Sequence, residues 1–124
     1  MAGQNYRDLI AWQKAMDLTE SVYRITAKMP PEELYGLTAQ IRRASISVPA
    51  NIAEGQGRRT KGEFLNQLSI AHGSVREIET HAMLAVRLRF LTPDEVHTVI
   101  ELAAEVGRLI NGRANSLQAR KAQV

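Results

Sequence analysis

The chain has 124 residues, 44% hydrophobic and 23% charged, which is the size and balance of one globular domain and excludes a disordered or collagen-like polymer. Cysteine is absent, which removes disulfides, thiolate metal sites and thiol nucleophiles together. The net charge is +3 and most of the basic residues are Arg; this permits a nucleic-acid partner without requiring one.

The first helix is expected over about residues 8–29, with Asn5 as its N-cap and Pro30-Pro31 as its stop. Leu9, Trp12, Met16, Thr19, Val22, Tyr23 and Thr26 recur at helical spacing and form its predicted inner stripe. The second helix should begin near Glu32 or Leu37 and carry to Glu54, on a stripe of Leu37, Ile41, Ala44, Ser45, Val48 and Ile52. Pro49 lies within it and leaves the Ser45 carbonyl without its amide partner, so a kink or break is expected near residues 45–49. A short strand there is the rival reading, because Ile46 and Val48 alternate with Ser45 and Ser47; the longer helical spacing outweighs it.

A connector, Gly55-Gln-Gly-Arg-Arg59, leads to Thr60 as a cap with Glu63 closing a capping box. The third helix is expected over residues 61–90, burying Phe64, Leu68, Ala71, Val75, Ile78, Ala82, Ala85 and Leu88, with Gly73 read as a point of close helix approach. Thr92, Pro93 and Glu95 form a second capping box. The fourth helix should bury Val96, Val99, Ala103, Val106 and Ile110 and stop at Asn111-Gly112. The expected organisation is an all-α, antiparallel, up-down-up-down four-helix bundle over residues 1–112, with a polar, frayed tail over 113–124; the alternative there is one further helical turn carried by Leu117. Ile10, Leu18, Ile25, Leu65, Met83, Ile100, Leu102 and Leu109 fall off the stripes and suggest a second apolar surface for self-association.

Such a bundle can hold a di-iron centre, but none of His72, His81 and His97 has a Glu three residues before it. Glu77 and His81 read as a surface pair, and Asp94 as a first-turn charge rather than a ligand. The His-Glu-x-x-His pattern and the serine nucleophile elbow are both missing. The expectation is therefore a non-enzyme with no metal and no cofactor. The connector fails the phosphate-loop patterns, since Glu63 follows Gly62 and Thr60 stands where a third Gly belongs. Backbone-phosphate contact remains open to Arg58, Arg59 and Lys61 at one bundle end and to Arg113, Arg120 and Lys121 on the tail. Arg42, Arg43, Asn51, Glu54 and Glu77 are candidates for a structural polar network, with Arg–Glu pairs between the second and third helices. No run approaches the roughly 18 apolar residues of a membrane span. The first residues are polar and lack a signal core, so a cytoplasmic address without a membrane partner is expected.

Three blocks carry a resemblance: Asp8-Leu-Ile-Ala-Trp-Gln-Lys-Ala-Met-Asp-Leu18, the long stretch from Tyr35-Gly-Leu-Thr-Ala-Gln-Ile-Arg-Arg43 to Ala53-Glu-Gly-Gln-Gly57, and Phe64-Leu-Asn-Gln-Leu-Ser-Ile-Ala-His-Gly-Ser-Val-Arg-Glu-Ile-Glu-Thr80. The sequence resembles the four-helix-bundle family of proteins encoded in intervening sequences of 23S ribosomal RNA genes. The resemblance implies assembly into a ring, typically a homopentamer. It also implies kinship with the accessory variability determinant of diversity-generating retroelements, a basic barrel that binds nucleic acid and a reverse transcriptase. The implied partners are further copies of the chain, RNA or DNA, and a protein such as a reverse transcriptase.

Overall fold

The computed structural model describes residues 5–122, with side chains through residue 119. It has four α-helices: α1 (Ile10–Thr26), α2 (Leu37–Gln56), α3 (Lys61–Arg87) and α4 (Pro93–Ala122), with 3-10 turns at Tyr6–Asp8 and Pro31–Glu33. No strand occurs among the described residues.

Cross-helix contacts fix the directions. Thr19 meets Ser45 while Thr26 meets Arg42, so α1 and α2 run antiparallel. Ser47 meets Ser74 while Glu54 meets Gln67, and α2 and α3 do the same. Arg113 lies over Phe64 and Gly107 beside His72 and Val75, which sets α4 against α3. Lys14 pairs with Glu105 and Lys28 with Glu95, closing the square between α1 and α4. Each helix packs on two neighbours and not across the diagonal.

The expected stripes of α2, α3 and α4 line the core, apart from half-buried Leu37 and from Leu88, which is half exposed. On α1, Leu9, Val22 and Thr26 of the predicted stripe are buried and Trp12 packs against the core, but Ala11, Ala15, Leu18 and Ile25 are buried as well, and Met16 and Tyr23 are exposed. The two alanines let the neighbouring helices come close, and the larger Trp12, Met16 and Tyr23 stay on the flank. Leu18 and Ile25 are thus core residues, and Leu65, Ile100, Leu102 and Leu109 pack against the core. Of the residues set aside for a second surface, only Ile10 and Met83 are largely exposed.

Several boundaries also differ from the sequence reading, among them the end of α1 at Thr26, three residues early. Asn5 caps the 3-10 turn, its Oδ1 accepting from the Arg7 amide at 2.9 Å, and α1 starts after it. The third helix ends at Arg87, three residues early, where Arg89 adopts a left-handed φ of 63°. Asn111-Gly112 does not stop α4, which continues to Ala122 with Leu117 buried, because a further apolar contact outweighs the propensity of two residues.

Pro49 does not break α2. The Ser45 carbonyl that it orphans accepts the Thr19 hydroxyl of α1 at 2.8 Å; the same hydroxyl lies 3.0 Å from the Ala15 carbonyl. Ser45 itself is fully buried. A buried carbonyl without a partner is destabilising, and α1 supplies the donor that the proline removes. Thr19→Val should lower stability by about 1–3 kcal/mol. In a Pro49→Ala background, where an amide returns, chemical denaturation should show a smaller loss; equal losses in both backgrounds would refute the pairing.

The second capping box forms as expected. The Thr92 amide donates to Glu95 Oε1 at 2.9 Å, and the Glu95 amide to Thr92 Oγ1 at 3.2 Å. The Thr92 amide bond holds the Glu95 carboxyl below the usual glutamate range, desolvation opposes it, and Lys28 adds to the lowering. A depressed folded-state pKa means stability that is present above the unfolded glutamate pKa and lost as pH falls through the folded value. Melting temperatures of the parent and Glu95→Gln should differ at neutral pH and converge as the solution is acidified through that range.

Candidate nucleic-acid interface

The connector between α2 and α3 owes its shape to one glycine and one threonine. A Cβ at Gly55 would stand 2.7 Å from Phe64 Cδ1 and 2.8 Å from Gln67 Cβ, so only glycine lets the end of α2 approach the start of α3 this closely. Thr60 Oγ1 accepts from the Glu63 amide at 3.1 Å and starts α3. Gly73, by contrast, faces open space, so the close approach lies at Gly55 and not where the sequence placed it.

Arg58 pairs with Glu54, whose Oε1 also accepts from Gln67 Nε2 at 3.1 Å. Arg59 and Lys61 are exposed and make no ion pair among the described residues. Beside them a shallow cleft of about 330 Å³ is lined by Arg58, Gly62, Glu63, Asn66 and Gln67.

Arg113, assigned by sequence to a tail, belongs to α4. Its guanidinium lies 5.5 Å from the centre of the Phe64 ring and joins the same bundle end as the connector. Arg120 and Lys121 fall on the last turn of α4, and their side chains lie outside the described residues. Two further cations at this end were missed by the sequence reading. Arg7 is exposed in the first 3-10 turn, its guanidinium 4.9 Å from the Tyr6 ring centre. Arg108 is exposed on the second half of α4. The signal was the topology: antiparallel order brings the chain start, the α2–α3 connector and the second half of α4 together. The acidic residues there are Asp8, Glu54, Glu63 and Glu105, the last paired with Lys14. At the opposite end Arg24, Lys28, Arg42, Arg43, Arg87 and Arg89 are matched by Glu20, Glu32, Glu33, Asp94, Glu95 and Glu101, so the basic surplus sits at the connector end.

The expected Arg–Glu network between α2 and α3 does not form. Arg42 turns to α1, where its Nε donates to Thr26 Oγ1 at 2.9 Å and its guanidinium lies 4.7 Å from the Tyr23 ring centre. Arg43 and Glu77 are exposed and make no ion pair among the described residues, and no bond joins Glu77 to His81. Between α2 and α3 stands a mostly uncharged seam: Ser74 Oγ donates to Ser47 Oγ at 2.9 Å, while within α2 Asn51 Nδ2 donates to the Ser47 carbonyl at 2.8 Å. Arg42 lies on the α1 side of its helix, out of reach of α3. Among the described residues, no three His, Asp or Glu side chains gather as metal ligands. None of the described helices is long and apolar enough to cross a membrane.

The family model described as 23S rRNA-intervening sequence protein matches residues 7–112. A crystal structure of a protein of unknown function from the S23 ribosomal protein family of Bacteroides thetaiotaomicron superposes with a TM-score of 0.76 at 20% identity, over 85% of this chain and 98% of that one. That likeness shows a shared fold. No curated protein matches the sequence.

The two glycines give a paired test of the connector geometry. Gly55→Ala should destabilise by about 1–3 kcal/mol through overpacking. Gly73→Ala, on an exposed helical site with open space around it, should stabilise by up to about 1 kcal/mol. Urea denaturation of both variants reads the difference in sign.

Proposed function

The chain belongs to the 23S rRNA-intervening sequence protein family, and we propose that it is a non-enzymatic, self-assembling bundle whose connector end binds RNA or DNA. The observation that supports this is the gathering of Arg58, Arg59, Lys61 and Arg113 with Arg7 and Arg108 at one end of the bundle. Binding rests chiefly on phosphate contacts and carries no strong sequence preference. Arg59 and Lys61 are the principal contacts, because no carboxylate answers them, and Arg58 is secondary because Glu54 holds it. The bundle works without metal or cofactor, and the lack of cysteine suits a cytoplasmic setting.

Exposed apolar residues support self-association. Ile70 and Leu84 of α3 and Leu88 at its C-cap are 45%, 40% and 50% exposed and share one side by their helical spacing. A homopentameric ring, as the family resemblance implies, would cover them. The second reading uses the same face: an adaptor or accessory subunit, for example to a reverse transcriptase, would dock its partner on α3. That reading requires a partner that stays bound after nuclease treatment and in moderate salt.

The test is a titration of labelled structured RNA and duplex DNA at several salt concentrations, with light scattering on the same samples. Affinity should fall along a straight log–log line. Neutralising Arg58, Arg59 and Lys61 together should flatten the slope for duplex DNA by about 2–3. An unchanged slope and affinity would refute the assignment of these residues.

A further inference from the structure

A cleft of about 410 Å³ opens at the connector end, between the start of α1 and the second half of α4. Its volume falls within the roughly 300–1,000 Å³ typical of small-ligand sites. Leu9, Ile10 and Leu109 make apolar walls, and the cleft reaches Ile52 and Leu68 of the core. Asp8, Arg108, Arg113 and Ser116 are the polar members of its lining.

The charges are arranged unusually for an apolar cleft. Asp8 and Arg108 both line it, yet they form no ion pair with each other or with any other described residue. A ligand suited to both must offer N–H donors to a carboxylate, an anion to a guanidinium, and a flat or apolar body between them. A fatty acid satisfies the Arg and the walls and leaves Asp8 facing its chain. An unpaired nucleotide satisfies all three, with its base between the aliphatic walls and its phosphate toward Arg108. Guanine is the base that presents two adjacent N–H donors on one edge, which a carboxylate accepts as a pair. Adenine and cytosine place an acceptor beside their amino group, and uracil sets its single N–H between two carbonyls.

We propose that this cleft is a subsite for one unpaired guanine nucleotide, with Asp8 accepting from the base edge and Arg108 holding the phosphate. The subsite rests on the nucleic-acid reading above and adds selectivity at one position to binding that phosphate contacts otherwise dominate. It requires a single strand or a loop, because in a duplex this edge of guanine is already paired.

The test uses the full chain and fluorescence anisotropy with three labelled single strands: uridine alone, uridine with one central guanosine, and uridine with one central adenosine. The guanosine strand should bind about tenfold more tightly than the other two. Asp8→Asn should abolish that ratio and leave the salt slope unchanged. Gly112 also lines the cleft and has open space where its Cβ would stand, so Gly112→Leu narrows the cleft without a clash in the fold; it should abolish the ratio too. Equal binding of the three strands along a normal salt line would overturn the guanine subsite and leave the phosphate reading standing. So would a guanosine preference that survives Asp8→Asn. Binding of guanosine monophosphate, lost in Asp8→Asn, with no strand bound at any salt, would uphold the cleft and overturn the polymer reading. Saturable decanoate binding that Gly112→Leu removes, with no guanine preference, would give the cleft to an amphiphilic carboxylate and overturn the proposal.

Discussion

A proline in the middle of α2 leaves a buried carbonyl without its amide, and a hydroxyl from another helix takes the amide's place. That single bond, from Thr19 to Ser45, lets α2 run unbroken from Leu37 to Gln56. Had the helix ended at the proline, the connector would leave the bundle partway along its length. Because α2 continues, Gly55 can meet Phe64 and Gln67 at the far end, and α3 starts where the basic residues are. Helix continuity and the location of the basic end are one constraint, met by side chains from two helices.

Antiparallel order then does what no local motif does. It folds Arg7, Arg58, Arg59, Lys61, Arg108 and Arg113, scattered along the chain, onto one end, while the other end carries matched charge. A modest net charge becomes a polar distribution, and such a distribution acts on a polyanion at distances within the Debye length, about 8 Å at physiological salt. The same order brings Asp8 of the first turn and Arg108 of the last helix to a shared cleft.

Much of this was legible before any coordinates. The Thr60 cap, the capping box of Thr92 and Glu95, and the inner faces of α2, α3 and α4 follow from residue types at fixed spacing, which is local physics. The errors fall where tertiary contact decides. On α1, steps of three and four put Met16 and Tyr23 on the inner face, but both are exposed while Ala11 and Ala15 are buried. The sequence reads Gly55 as the start of a connector and Gly73 as the point of close approach, and the position of the neighbouring helix reverses the two roles. Asn111-Gly112 carries a stop signal that α4 overrides through Leu117. Of the interface, Arg58, Arg59 and Lys61 could be placed because they sit beside their own turn. Arg113 was chosen for its charge and placed wrongly, and Arg7 and Arg108 went unseen, because their positions depend on which chain ends come together.

The hydroxyl seam between α2 and α3 has a consequence for the scaffold as a machine part. The contacts between these two helices are the Ser74–Ser47 hydroxyl bond, the tight fit at Gly55, aliphatic packing and one bond to a carboxylate, from Gln67 to Glu54; the ion pairs of Arg76 with Glu79 and of Arg58 with Glu54 each lie within one helix or its exit. Neutral hydroxyl contacts and apolar contacts are indifferent to the ionic screening that weakens exposed charges. The frame therefore keeps its shape while the charges it displays are strengthened or muted by the medium. Charge display and rigidity rest on largely different chemistry, and Glu54, which holds Arg58 and accepts from Gln67, is the residue that serves both.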